Sequence, residues 1–287
     1  MRILAATDFS SRSHRALRRA GLLAHARGAE LALVHVVDDD QPQGLVDMES
    51  REAERMLAEQ IEAMPELREV QSHPMVVTGD PFDAILRTAA ALRTDLIVMG
   101  AHRKQLLRDI FVGTTIERVI RTGPYPVLMV NNEAKGSYQR VMAPVDMSEP
   151  SANAIRVADA AGLIGEAYVT LVHAFSPLAK GKMVMAGVSR AGIDEYVASE
   201  RQKAVDDLTT FLAASGLGGR GWSLRVEEGG AFQVISRVVE EARPDLLLIG
   251  THGRSGLLKV LLGSVTEEVL RSLNVDILAV PPVGNRV

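Results

Sequence analysis

Residues 245–264 read DLLLIGTHGRSGLLKVLLGS, and the fold follows from this stretch. The apolar run 245–249 is typical of a buried strand in a parallel sheet. Residues 264–271 are typical of a helix, and the spacing of Ser264 and Glu267 predicts a capping box at its start. Between strand and helix lies the pattern G-x-x-G-x(9)-G-S, formed by Gly250, Gly253, Gly263 and Ser264. Free N–H groups and the positive end of a helix dipole meet at such a junction, which predicts an anion-binding site.

An altered copy of the same stretch occurs earlier in the chain. Residues 95–130 align without a gap to residues 245–280, at an offset of 150 residues. Nearer the start of each half, Asp8 aligns with Asp146 at an offset of 138 residues. The second half therefore carries a net insertion of 12 residues between its second and third strands. Two copies, each the size of a domain, indicate a tandem duplication.

Each half reads as strands that alternate with helices, beginning and ending with a strand. Such alternation predicts a parallel sheet with helices on both faces and right-handed crossovers. In the first half we expect helices over residues 11–27, 47–64, 81–93 and 113–121. The expected strands of this half cover residues 2–6, 31–37, 73–77, 95–99 and 126–130.

The glycine pattern matches in full the G-x-x-G-x(9)-G-[ST] signature of the universal stress protein family, and the chain resembles the ATP-binding branch of that family in particular. The resemblance covers nearly all of both halves. It implies an α/β fold of two tandem Rossmann-like (adenine nucleotide alpha hydrolase-like) domains, residues 1–133 and 138–287. Each domain would hold a five-stranded parallel sheet of order 3-2-1-4-5. The switch point of that order lies between strands one and four, which places Asp8 and Asp146 beside the two glycine loops.

The resemblance also implies that ATP binds in the second half, with magnesium accompanying the triphosphate. Backbone N–H groups of the loop would surround the phosphates, and the Ser264 hydroxyl would add a hydrogen bond. Asp146 would lie near the adenine and ribose, while Ala174 and Ile249 would border the adenine. The expected nucleotide-binding residues are Ala143, Pro144, Val145, Asp146, Ala174, Ile249, Gly250, His252, Gly253, Gly263, Ser264, Val265 and Thr266.

Several of these residues have a purely structural alternative. The glycines fit ordinary turns of an α/β fold, and Asp146 fits a carboxylate that caps the next helix beside Ser148. His35 and His173 share one strand position, and a packed, hydrogen-bonded histidine is favoured there over a catalytic base or a metal ligand. His252 is placed to touch phosphate, but no second ligand is fixed near it in sequence, so we assign no metal.

The first half departs from the signature, because Arg103 replaces the second glycine. A side chain there either blocks the pocket or grips a different anion, since a guanidinium matches phosphate and carboxylate well. We expect a lost or altered nucleotide site in a pocket that persists around Asp8 and Gly113.

Two connecting segments complete the organisation. Residues 131–139, NNEAKGSYQ, predict a short polar linker. The fifth strand of each half is an apolar run at a predicted sheet edge, and a bare apolar edge invites pairing. We therefore expect an intramolecular pseudo-dimer through the fifth strands, with a homodimer left open. The insertion, residues 175–200, reads either as a mobile lid or partner surface or, more simply, as a surface loop that leads into a helix over 193–214.

Composition narrows the functional classes. The 287 residues include no cysteine, which excludes disulfides, thiol nucleophiles and thiolate metal sites. The net charge of −4 disfavours nucleic acid as the main partner. The start of the chain lacks the apolar region of a signal peptide and no long apolar run occurs, so we expect a cytoplasmic protein without a membrane partner. The chain has no Walker loop, G-x-S-x-G elbow or G-x-G-x-x-G fingerprint.

These observations favour a tandem stress protein that binds ATP in its second half for a regulatory or sensing role in the stress response. An enzyme is the alternative, either a slow ATPase or a nucleotide-dependent transferase that uses His252 or Asp146. A third hypothesis is a carrier of another small anion in the first half.

Overall fold

The computed structural model describes residues 1–101, 113–251 and 262–283. Within them the first half contains strands β1 (Arg2–Ala6), β2 (Glu30–Val37), β3 (Ser72–Thr78), β4 (Leu96–Gly100) and β5 (Val127–Val130). Its helices are α1 (Ser11–Arg27), α2 (Gln43–Ala63), α3 (Pro65–Arg68), α4 (Pro81–Ala91) and α5 (Thr115–Thr122). The second half contains strands β6 (Arg140–Pro144), β7 (Tyr168–Phe175), β8 (Ser223–Glu228), β9 (Leu246–Gly250) and β10 (Asp276–Val280). Its helices are α6 (Glu149–Ala160), α7 (Lys180–Met185), α8 (Arg190–Ala214), α9 (Ala231–Ala242) and α10 (Ser264–Ser272).

The described strands form a single ten-stranded sheet of order β3-β2-β1-β4-β5-β10-β9-β6-β7-β8. Pairing is parallel within each half, as in the register of Ile3 with Leu31 on one side and Leu96 on the other. Both halves therefore have the order 3-2-1-4-5 and a switch point between their first and fourth strands, which confirms the predicted fold.

The two halves join where β5 pairs with β10 in antiparallel register, Leu128 opposite Leu278. Both strands are buried along their whole length. Pairing of the fifth strands within one chain agrees with the predicted pseudo-dimer, and it covers two apolar edges that would otherwise be free to associate.

The core lies in two layers, one on each face of this sheet. Successive strand residues alternate between the layers, so Leu128 belongs to one cluster and Met129 to the other. The first layer is filled mainly from α1 and α6, for example by Leu17 and Ile155. The second is filled from α4, α5, α9 and α10, for example by Val269. Each layer runs through both halves, so the halves share one continuous core.

The linker, residues 131–139, is held against the second half by hydrogen bonds to Asp276. The carboxylate of Asp276 accepts hydrogen bonds from the backbone N–H of Asn131 (2.9 Å) and of Asn132 (3.0 Å) and from the hydroxyl of Tyr138 (2.8 Å). Asp276 is 1% exposed, and burial raises the pKa of its carboxyl despite these bonds. Nε of Arg19 in α1 lies 3.7 Å from Oδ2 of the same carboxylate. Asn131 and Tyr138 therefore anchor the linker in the interior of the joined halves, while the residues between them are exposed or half-buried.

The structure corrects several expected bounds. α2 begins at Gln43, inside the segment we expected to be a polar loop, and α3 follows it without having been predicted. The insertion is not a plain surface loop, since it contains α7 and the start of α8 at Arg190. None of the helices in the described part of the chain is both long and apolar enough to cross a bilayer.

Candidate functional site

Each half contains a cavity where the carboxyl ends of its first and fourth strands meet. The second-half cavity has a volume of about 290 Å³. Most of the expected nucleotide-binding residues line it, namely Pro144, Val145, Asp146, Ala174, Ile249, Gly250, Gly263, Ser264, Val265 and Thr266. Ala143 is expected there too, but it is a buried core residue that does not line the cavity. His252 and Gly253 lie outside the described residues.

Sequence reasoning missed part of the cavity wall. Ser151, Val172, Ala231 and Ile235 also line it. The duplication offered a signal for Ser151, since it lies 138 residues after Ser13, which lines the first-half cavity.

The two carboxylate oxygens of Asp146 differ: Oδ1 stabilises a tight turn, and Oδ2 accepts no hydrogen bond from the described residues. Its Oδ1 accepts hydrogen bonds from the backbone N–H of Ser148 (3.1 Å) and from the Ser148 hydroxyl. Met147 between them has a φ of 60°, which this tight turn holds. Ser148 in turn caps α6 by accepting from the N–H of Ser151. Within the described residues no hydrogen bond is made to Oδ2 of Asp146, so one carboxylate oxygen stays available at the cavity.

His173 is a packed residue, as the sequence favoured. Its Nδ1 lies 2.7 Å from the carbonyl oxygen of Val145, and its side chain is 7% exposed. A carbonyl only accepts, so Nδ1 carries the proton and Nε2 of the neutral ring is an acceptor. Among the residues that the structure describes, no three His, Asp or Glu side chains come together as a metal site.

The predicted capping box of α10 is wrong. Gly263 is the N-cap of this helix, no side chain caps it, and Ser264 is already its first helical residue. Two bonds hold the helix start against the preceding strand: Gly263 N–H donates to the carbonyl of Thr251 (2.9 Å), and the Thr266 hydroxyl donates to the carbonyl of Gly250 (2.9 Å). The first N–H groups of α10 therefore border the cavity with no side-chain acceptor among the described residues, and such a helix start favours an anion.

The capping box occurs in the first half instead. The Thr114 hydroxyl accepts from the N–H of Glu117 (3.3 Å), and Oε2 of Glu117 accepts from the N–H of Gly113 (3.1 Å). Arg121 holds the other oxygen of this buried Glu117. The two helix starts thus differ, since that of α5 has a side-chain capping box and the described residues show no side-chain cap at that of α10.

Gly250 is required for packing. We expected it to let backbone approach phosphate, but a Cβ on Gly250 would lie 2.9 Å from the carbonyl oxygen of Pro150 in α6. Its counterpart Gly100 is more crowded, because a Cβ there would lie 2.7 Å from the carbonyl oxygen of Arg12 in α1. The first glycine of each loop lets a helix lie directly on the end of a strand.

We predict that Gly100→Ala lowers the free energy of unfolding by about 1–3 kcal/mol, because the new methyl group overlaps backbone that cannot move aside. Gly44→Ala is the matched control, since nothing lies within 4 Å of a Cβ at Gly44 in α2. That change is expected to stabilise the protein by roughly 0.4–1 kcal/mol. Urea unfolding followed by circular dichroism measures both, and equal stabilities would contradict the packing role.

The first-half cavity is larger, about 360 Å³. It retains Asp8 and His35, and Nδ1 of His35 lies 2.9 Å from the carbonyl oxygen of Thr7, which repeats the arrangement of His173. The prediction that a pocket persists here agrees with the structure. Arg103, the residue that breaks the glycine signature, lies outside the described residues.

The fold and its two cavities define a tandem α/β protein with a ligand-sized opening at each switch point. The model of the family described as universal stress protein family matches residues 1–131 and again residues 137–281. The chain belongs to the universal stress protein family, as a tandem member with two copies of the domain.

Individual relatives agree with this assignment. A universal stress protein of Thermus aquaticus is 33% identical over 133 residues, which are 45% of this chain and 96% of that protein. Universal stress protein E of Escherichia coli K12 is 24% identical over 207 residues, which are 70% of this chain and 65% of that protein. The crystal structure of a universal stress protein from Archaeoglobus fulgidus has the same fold, with a TM-score of 0.71, 18% identity and 98% of each chain covered.

Proposed function

We propose that the second half binds ATP and that the bound nucleotide serves a regulatory or sensing role in a stress response. The observation that carries the proposal is the open start of α10, which faces the cavity at Gly263 and Ser264 without a side-chain cap. Because the signature glycines lead into this helix start, its N–H groups suit a polyphosphate.

The cavity supports one orientation of the nucleotide. Apolar side chains such as Val172, Ile235 and Ile249 form walls that suit a purine ring. Oδ2 of Asp146 is an acceptor for ribose hydroxyls, and the phosphates then lie over Ser264 and the loop that holds His252 and Gly253. A volume of about 290 Å³ is at the low end of ligand pockets, so the cavity fits the adenosine part and leaves the phosphates at its mouth.

Magnesium is proposed to accompany the triphosphate through phosphate oxygens and water, as this ion does in many nucleotide sites. The functional units are proposed to be residues 1–133 and 138–287, in a cytoplasmic protein. ATP that binds only the folded state stabilises the second half by mass action. This stabilisation is the physical basis for a ligand that biases one state of the protein.

Purification without added nucleotide tests the proposal. After denaturation we expect release of adenine nucleotide at about one per chain, because the helix start at the second-half cavity has no side-chain cap among the described residues, whereas that of the first half has a capping box. Release of another compound, or an absence of both retained nucleotide and ATP binding in calorimetry, would contradict the assignment. Release close to two per chain would show that the first half binds as well.

A turnover assay distinguishes a slow ATPase from a protein that only binds the nucleotide. We expect phosphate release by the wild type to equal the background without protein, and Asp146→Ala to show the same rate. A wild-type rate above background that falls in Asp146→Ala would establish an enzyme. Ser151→Ala is the control for general damage to the cavity wall.

A further inference from the structure

We propose that the first-half cavity is a second binding site, specific for a small organic acid with one carboxylate or phosphate group, which Arg12 holds. This site is distinct from the nucleotide site and does not depend on ATP binding in the second half.

Several lining residues of the two cavities correspond to each other. The helix that borders each cavity, α1 or α6, differs at one position. Asp8, Ser13 and His35 repeat Asp146, Ser151 and His173 at the offset of 138 residues. At the same offset, Arg12 in the first turn of α1 corresponds to Pro150 in α6. Arg12 lines the first cavity, so the duplication has placed a cation at its wall where the second half has none.

The backbone of Arg12 is fixed in place. The end of β4 lies so close to it that a Cβ on Gly100 would be 2.7 Å from both its carbonyl carbon and oxygen. The packing of α1 on the sheet therefore fixes the backbone from which the Arg12 side chain extends at the wall of the cavity.

The guanidinium of Arg12 has no partner among the residues that the structure describes. Across residues 1–101, 113–251 and 262–283 it forms no ion pair, hydrogen bond or ring contact. The neighbouring arginines of α1, in contrast, have partners in the linker or in α3. Arg15 pairs with Glu133, Arg18 pairs with Glu66, and Arg19 donates to the carbonyl of Gly136. A cation in the first turn also opposes the helix dipole. Helix stability therefore does not explain Arg12, whereas an anionic ligand does.

The rest of the cavity defines the ligand further. The Thr114–Glu117 capping box occupies the N–H groups of Glu117 and Gly113 at the start of α5, which makes this helix start less suited to a polyphosphate than that of α10. Burial raises the pKa of the Asp8 carboxyl, but hydrogen bonds from Ser10 and Ser13 outweigh it, and the net pKa lies below its ordinary value. The ionised Asp8 requires a hydroxyl or amino donor.

Apolar walls complete the pocket, including Val34, Ile85 and Met99. The arrangement fits a compact molecule with a ring or short apolar body, a single acidic group at Arg12 and a donor at Asp8.

Two matched probes test the site, para-hydroxybenzoate for a carboxylate and para-hydroxyphenyl phosphate for a phosphate monoester. Each is titrated by calorimetry into the full chain and into Arg12→Ala, Arg12→Lys and Arg51→Ala. Loss of a charge-assisted pair in Arg12→Ala is expected to weaken binding by about tenfold or more. Arg12→Lys should retain part of the affinity, because lysine keeps the charge but not the fork geometry. Arg51→Ala removes the same charge from the exposed α2 and should leave binding unchanged.

Binding of one probe alone identifies the acidic group, and binding of both supports an anion site of either chemistry. Binding of neither probe to the wild type overturns the proposal. Equal binding to Arg12→Ala overturns it as well, as does displacement of the bound probe by ATP. Circular dichroism of each variant confirms that a loss of binding does not come from unfolding.

Discussion

Asp276→Ala is expected to lower the free energy of unfolding by about 3–5 kcal/mol, the cost of leaving a buried charge without its partner. The change deprives Arg19 of the carboxylate that lies 3.7 Å away. It also removes the acceptor for the N–H groups of Asn131 and Asn132 and for the Tyr138 hydroxyl. Nε of Arg19 has no hydrogen-bond acceptor among the described residues, so without Asp276 the guanidinium keeps the neutral carbonyl of Gly136 and the Tyr138 ring as partners and no counter-charge among them.

Urea unfolding of the wild type, Asp276→Ala and Asp276→Asn measures the effect. Asparagine keeps an oxygen for the backbone N–H groups but loses the charge, so its stability should fall between the other two. Asp206→Ala, an exposed change in α8, controls for the loss of a carboxylate and is expected to alter stability by less than about 0.5 kcal/mol. A loss below about 1 kcal/mol in Asp276→Ala would show that this cluster does not hold the halves together.

Gly253→Arg is expected to reduce the affinity for ATP by about a hundredfold or more, since a side chain would separate several backbone N–H groups from the phosphates. Gly253 lies outside the described residues, and the prediction rests on the signature and on the first half. There Arg103 occupies the same position at an offset of 150 residues, so the sister domain tolerates the arginine. Stability without nucleotide should therefore change little.

Calorimetry with ATP on the wild type and on Gly253→Arg measures this loss. Gly44→Arg introduces the same side chain on the exposed surface of α2, where a Cβ would meet nothing within 4 Å, and should bind ATP as the wild type does. Wild-type affinity in Gly253→Arg would show that the phosphate loop has been assigned to the wrong residues.

Strong local sequence signals, such as helix caps and apolar runs, predicted the helices and strands well. Ser10 caps α1 and Gly28 ends it with a φ of 55°, as the sequence indicated. The alternation of apolar runs and helices, repeated at a fixed offset, was sufficient to predict two parallel sheets. The strand order came from the resemblance to a family, since nothing in the chain itself specifies which strands are neighbours.

The details of the site depended on contacts that sequence does not show. Ser264 and Glu267 have capping-box spacing, as do Thr114 and Glu117, yet only the first-half pair forms the box. The packing role of Gly250 was not predicted, because Pro150, which crowds this position, lies 100 residues earlier in the chain. Tyr138 was read as part of a polar linker, whereas its partner Asp276 is supplied by the far end of the second half.

The antiparallel pairing of β5 with β10 determines on which side of the sheet each cavity opens. Strands run in one direction within a half and in the opposite direction in the other, so the two cavities open at opposite rims of the sheet. Occupants of the two cavities therefore never touch, and any communication between them passes through the shared core or the docked linker. Ligands at the two proposed sites would thus be exposed at opposite rims of a single chain.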